Sequence, residues 1–223
     1  MSTTIVFDLE TTKIPATGIL GIEKIHCLAA KCVESKERYF ADEPTAYACI
    51  LEILQSATSI VGHNIIGFDI PVLQKFFPDF KPKGQVIDTL VMARALWHDV
   101  IVKDFGRCKE GRLPDRLKGR HSLEAYGYRL GILKGEYCHQ DDAWDVYTPA
   151  MAEYCEQDVE VTEALYKRLM AAGASPEMIE LENEFAQCIQ KQEIRGVYFD
   201  EPAAIKLMIT LRGIKEKLNE ICK

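Results

Sequence analysis

Thr4-Ile5-Val6-Phe7-Asp8-Leu9-Glu10-Thr11-Thr12 is the stretch on which the reading of the fold turns. Ile5, Val6 and Phe7 form an unbroken β-prone run, the pattern of a strand covered on both faces inside an α/β sheet. Such a strand belongs in the middle. Successive strand side chains point to opposite faces, so Asp8 and Glu10 project to the same side where the strand leaves the core. Two carboxylates about 4 Å apart repel by roughly 4 kcal/mol at an effective dielectric near 20. A hard divalent cation with oxygen ligands would relieve that repulsion. The plain alternative is a pair of polar residues at a strand end, so a metal centre needs further acids from elsewhere in the chain.

With 223 residues, 48% of them hydrophobic, the chain can form one full α/β domain with a substantial core and a smaller appendage. No apolar run approaches the ~20 residues that span a bilayer, and the start lacks the regions of a signal peptide. The expectation is a cytoplasmic protein with no membrane contact. Eight cysteines are scattered without a Cys-x-x-Cys pair, which favours reduced, buried thiols over disulfides. The five histidines fall in none of the usual zinc-ligand spacings. A net charge of -7 argues against a general phosphate-binding surface. It is compatible with an enzyme that meets phosphates through bound metals.

Outward from the first strand, Lys13 to Lys24 holds Pro15, Gly18 and Gly21 and reads as a loop. Ile25–Val33 and Arg38–Ala41 read as a hairpin beside the first strand. Pro44–Ser56 has helical apolar spacing, and Ser59–Gly62 is a short buried strand, which together make a parallel β-helix-β element. Asp69 then sits at the mouth of a helix containing Val72, Leu73 and Phe76; it is either an N-cap or a site residue. Gln85–Asp88 reads as a strand and Thr89–Trp97 as a helix. Lys103 to Arg120 carries seven basic residues against three acids, an excess of +4, and is expected to be a solvated, mobile loop, with phosphate contact as the minor reading.

Ser122 can cap a helix that Gly131 ends, and Gly135–Thr148 reads as irregular. Pro149 opens a strong amphipathic helix to about Ala171. On it, Tyr154 and Asp158 are four residues apart and share a face. An unpaired Asp158 on that apolar stripe would be costly, so it either meets a core Arg or Lys or holds a metal. Gly173 marks a boundary, followed by helices to about Arg195 and from about Glu201 onward. No stop signal precedes Lys223, so the chain is expected to be a piece of something longer.

Asp8-x-Glu10, Asn64-x-x-x-Phe68-Asp69 and Tyr154-x-x-x-Asp158, in that order, resemble the three exonuclease motifs of the DEDD superfamily, tyrosine subtype. Asp88-Thr-Leu-Val-Met-Ala-Arg94, Leu113-Pro114, His121 to Gly131 and Lys134-Gly-Glu-Tyr137 are similar to the proofreading domain of T-seven-like phage family A DNA polymerases. Residues 192–200 resemble the segment that opens the polymerase region there. The resemblance implies two domains: 1–172, a 3′-5′ exonuclease of ribonuclease-H-like α/β fold with about five mixed strands flanked by helices, and 173–223, a helical start of a truncated polymerase region.

It further implies two divalent ions, Mg²⁺ or Mn²⁺. Asp8 would bridge them, Glu10 and Asp158 would complete the first, Asp69 would hold the second, and Tyr154 would orient the attacking water. Leu9, Thr11, Asn64 and Phe68 match positions that meet the substrate. The implied partners are a single-stranded DNA 3′ end and the polymerase region of the parent protein, in the host cytoplasm if phage-encoded. Nothing in the sequence specifies an oligomer. Two other readings compete: a free-standing DEDD exoribonuclease that trims RNA, and an inactive single-strand-binding or docking module. Comparing DNA with RNA oligonucleotides, and cleavage with binding, separates them.

Overall fold

The structure is a computed structural model that describes residues 2–132 and 144–222. It divides into two compact units, residues 1–188 and residues 189–223. The Lys134-to-Tyr137 motif and most of the stretch expected to be irregular lie outside the described residues.

The first unit is built on a five-stranded mixed sheet of order β3-β2-β1-β4-β5. β1 (Thr4–Thr11) is the central strand, as its apolar run predicts. It pairs antiparallel with β2 (Ile25–Cys32), which pairs antiparallel with β3 (Arg38–Ala41). On its other side it pairs parallel with β4 (Ser59–Gly62), and β4 with β5 (Gln85–Asp88). Helix α1 (Pro44–Ser56) makes the crossover between β3 and β4.

Two apolar cores lie on opposite faces of this sheet. α1 and α2 (Asp69–Phe76) cover one, where Ile5, Phe7 and Leu9 meet Ile50, Leu54, Val72 and Leu73. α3 (Thr89–Leu96), α5 (Leu123–Leu130) and α6 (Pro149–Ala171) cover the other, where Val6, Cys27 and Val61 meet Met92, Tyr126, Cys155 and Leu165. Each fully buried Leu, Ile or Phe adds about 2 kcal/mol of hydrophobic stabilisation, so the two faces together fix the register of β1. No helix among the described residues is long and apolar enough to cross a membrane.

The expected loop at Lys103–Arg120 is corrected by the structure. Helix α4 (Val100–Lys109) and a 3-10 turn at Asp115–Leu117 occupy most of it. The cause is Asp104, which has no exposed side chain and gathers the segment around itself. Its carboxylate accepts from Arg107 Nη1 at 3.0 Å, Arg129 Nη2 at 2.7 Å and the Gly119 amide at 2.9 Å. Counting charges hid an acid that organises its basic neighbours.

α7 (Pro176–Arg195) begins on the first unit, where Ile179 and Asn183 are buried. Asn183 Oδ1 accepts from the Asp88 amide at 2.7 Å. In the second unit, α8 (Glu201–Ile221) starts at an N-cap, Asp200, whose carboxylate accepts from the Ala203 amide at 3.0 Å.

Candidate metal centre

The alternation of β1 decides where its acids go. Ile5, Phe7 and Leu9 enter the α1/α2 core and Val6 enters the α6 core, so Asp8 and Glu10 continue the α6-facing series. They stand opposite Ala29 and Cys27 of β2, and the register shifts directly after Glu10. Such an irregularity adds local twist and re-aims side chains at the end of a strand.

α6 meets this face. Thr148 caps it, its hydroxyl accepting from the Met151 amide at 3.1 Å, and Pro149 takes the first turn. Cys155, wholly buried, donates its thiol to the Asp8 carbonyl oxygen at 3.4 Å. The ligand atoms of Asp8, Glu10 and Cys155 lie within 4.8 Å of one another. Burial raises the Cys155 thiol well above its ordinary pKa; the Cys27 hydrogen bond and the charges of Asp8 and Glu10 add to the rise. A neutral thiol is a poor ligand, and hard cations prefer oxygen. Asp8 and Glu10 therefore supply the donor atoms, and Cys155 forms the floor beneath them.

Asp158, three residues after Cys155, is 6% exposed. Asp69 is 3% exposed and its Oδ1 has no hydrogen-bond partner among the described residues. It does not cap α2: Phe68 holds the N-cap position and no side-chain capping bond forms there. Burial is the main cause that raises the Asp69 carboxyl to about 8. The amides of Asp69 and Leu9 work against that rise, and the charges of Asp88 and Asp158 work with it. The Leu9 amide belongs to β1 and Asp158 to α6, so Asp69 is under the influence of both elements. Asp69 and Asp158 stand outside the 4.8 Å grouping of Asp8, Glu10 and Cys155. The donor set is thus carboxylate oxygens, those of Asp8 and Glu10 already at ligand spacing, with a buried Asp69 oxygen that meets no donor among the described residues. It fits a hard divalent ion.

Around these acids, Tyr154 is half-buried and packs edge-on against Trp144, ring centroids 6.0 Å apart. Asn64 is exposed and holds φ 66°, a left-handed conformation that Asn tolerates. Phe68 is half-buried against the α1/α2 core. Leu9 is 2% exposed with its side chain inside that core, so a ligand at this position meets its backbone. Thr11 is 5% exposed and its hydroxyl donates to the Thr12 carbonyl at 2.9 Å. His63 is a packed histidine: Nδ1 meets Thr89 Oγ1 and Nε2 meets the His121 carbonyl, each at 2.9 Å. From Asn64, a groove of ≈ 620 Å³ is lined by Leu90, Arg94, Arg120 and His121.

Two contributors escaped the sequence reading. Asp88 caps α3 and its carboxylate also accepts from the amides of Asn64 (2.9 Å) and Ile66 (3.0 Å), holding the loop that leads to Asp69. A buried acid ahead of a helix signals a cap, but the reach back over 22 and 24 residues has no local signature. Cys155 shares only the general expectation of a reduced, buried thiol; its place beside Tyr154 on the Asp158 helix is the signal that could single it out.

A family model described as the RNase_H superfamily matches residues 5–170. The chain belongs to the RNase H superfamily. The match runs from β1 to the end of α6, so it spans all five strands and every acid of the centre. The DNA-directed DNA polymerase of Escherichia phage T7 is 29% identical over 96% of this chain and 36% of its own length. That of Enterobacteria phage T3 is 29% identical over 92% of this chain and 35% of its own length. The chain spans about a third of the length of these curated relatives. Both matches bear out the resemblance read from the motifs.

Among solved structures, Escherichia coli RNase D, an exoribonuclease involved in structured RNA processing, superposes with a TM-score of 0.55 at 17% identity, over 85% of this chain and 45% of that one. The family B DNA polymerase of the archaeon Pyrobaculum calidifontis gives 0.50 at 14% identity, over 88% and 30%. At such identities the likeness is one of fold. The expected ribonuclease-H-like mixed sheet of five strands is what the structure holds.

Proposed function

We propose that this chain is a 3′-to-5′ exonuclease that removes nucleotides from single-stranded or frayed DNA ends, as the proofreading part of a larger phage DNA polymerase. One observation carries the reading: within an RNase H superfamily fold, β1 presents Asp8 and Glu10 at ligand spacing against Cys155 of α6. At the start of α2, Asp69 keeps a buried carboxylate oxygen that meets no hydrogen-bond donor among the described residues.

Asp8, Glu10 and Asp158 would hold one divalent ion, and Asp8 with Asp69 would hold a second, Mg²⁺ or Mn²⁺ being suited to carboxylate oxygens. Such ions, when bound, lower the pKa of a water and stabilise the oxygen that leaves in an in-line displacement. The protein's own groups do the rest. Burial of Glu10, Asp69 and Asp158 keeps their oxygens fixed before substrate arrives, so little reorganisation is needed in the transition state. The Tyr154 hydroxyl orients the attacking water by hydrogen bonding, with Trp144 against its ring to set its direction. The exposed Asn64 and the Phe68 ring receive the terminal nucleotide, where an aromatic face stacks on a base. Arg94 and Arg120 in the adjoining groove supply charge for the phosphates of the departing strand.

Residues 173–223 form the beginning of the polymerase region, whose remainder is the partner of this domain in the parent protein. Its place of action is the cytoplasm of the infected host. No polymerase activity is assigned to this chain. The reading is tested by the double substitution Asp8→Ala with Glu10→Ala, which should abolish nucleotide release from a labelled oligonucleotide while circular dichroism stays native. Release at the wild-type rate by that variant refutes it. Faster trimming of RNA than of the matched DNA would move the substrate to RNA.

A further inference from the structure

A second recess lies away from the carboxylates, between α3, α4, α5 and α6. It has a volume of ≈ 360 Å³, and its lining includes Trp97, Lys103, Arg107, Tyr126, Arg129 and Arg168. In a chain with a net charge of -7, four cationic side chains around one small cavity are a local reversal of sign. Only part of that charge is answered. Asp104 binds Arg107 and Arg129, and Asp99 stands 4.0 Å from Lys103. Among the described residues Arg168 has no ion pair, and the Arg129 side chain, 5% exposed, keeps a buried Nη1 that meets no hydrogen-bond partner there.

The rest of the wall is aromatic. Trp97 and Tyr126 pack together with ring centroids 5.8 Å apart, and the Arg129 guanidinium lies 4.7 Å from the Tyr126 centroid. Two fixed rings beside guanidinium groups provide both halves of nucleotide recognition: a flat surface for a base and a fork of donors for a phosphate. The volume lies near the lower end of small-molecule sites, which suits one nucleotide and not a strand.

We propose that this cavity binds a nucleoside monophosphate, with the phosphate held by Arg168, Lys103 and Arg129 and the base against Trp97. The site is separate from the carboxylate centre. It shares α6 with that centre, since Arg168 lies ten residues along the helix from Asp158.

Equilibrium dialysis of the full chain in EDTA tests the site, with dAMP, inorganic phosphate and deoxyadenosine as the three probes. No cleavage is involved, so the outcome is independent of the exonuclease reading. The expected result is one dAMP per chain, bound at least about tenfold more tightly than either phosphate or deoxyadenosine. Arg168→Glu should weaken dAMP by at least about tenfold, and Arg168→Lys should keep most of the affinity. Both variants should keep the wild-type melting temperature and rate of nucleotide release. The proposal is overturned by absence of saturable dAMP binding up to about 10 mM, by unchanged binding in Arg168→Glu, or by phosphate binding as tightly as dAMP.

Discussion

With 3% of its surface exposed and its carboxyl raised to about 8, Asp69 is largely protonated in the metal-free protein at neutral pH. Its folded pKa lies above the ordinary 3.8, so the folded state holds the proton more tightly than the unfolded one. Metal-free stability therefore falls as pH rises from about 4 to about 8, and Asp69→Asn should flatten that slope in thermal melts. A divalent ion must displace the same proton. Titration calorimetry at pH 7 in buffers of different ionisation enthalpy should show up to about one proton released per chain, with affinity rising until about pH 8. Asp69→Asn should lose that release. Asp8 and Glu10 were legible in the sequence because strand alternation alone puts them on one face. Asp88 was not, because its work is done on amides 22 and 24 residues away.

At the level of elements, the register of α6 against the sheet is held from outside the centre by Glu163. Its carboxylate, 4% exposed, meets Lys31 of β2 at 2.7 Å, Lys36 at 2.7 Å and Lys167 one turn along α6. Burial, the largest single influence, pushes the Glu163 carboxyl up, but Lys167, Lys31 and Lys36 together hold it down to about 2. A depressed folded pKa gives stability that is present above about 4.5 and lost as pH falls towards about 2. Glu163→Gln should cost about 2 kcal/mol at pH 7, a figure reduced because Lys36 and Lys167 are each 53% exposed. Denaturant melts should show the gap to wild type closing as pH is lowered. The one helix bearing both Tyr154 and Asp158 is readable from its apolar period and from Thr148-Pro149. α4 was missed because its one buried residue of consequence is an aspartate, which hydropathy counts as surface.

At the scale of the whole molecule, the compact unit runs through residue 188, beyond the expected end of the exonuclease domain at 172. The reason is visible in α7, where Ile179 enters the α6-side core and Asn183 holds the Asp88 amide. Gly173, at φ 96°, separates α6 from α7. A chain stopped after Cys188 should melt cooperatively within about 4 °C of the full chain and release nucleotides at the same rate. Loss of the folded state in that fragment would mean that residues 189–223 complete the core. The measurement closest to the central claim is anomalous diffraction from a crystal soaked in Mn²⁺. The account predicts manganese density enclosed by the carboxylates of Asp8, Glu10, Asp69 and Asp158. Those four side chains ordered with no anomalous peak among them would contradict it.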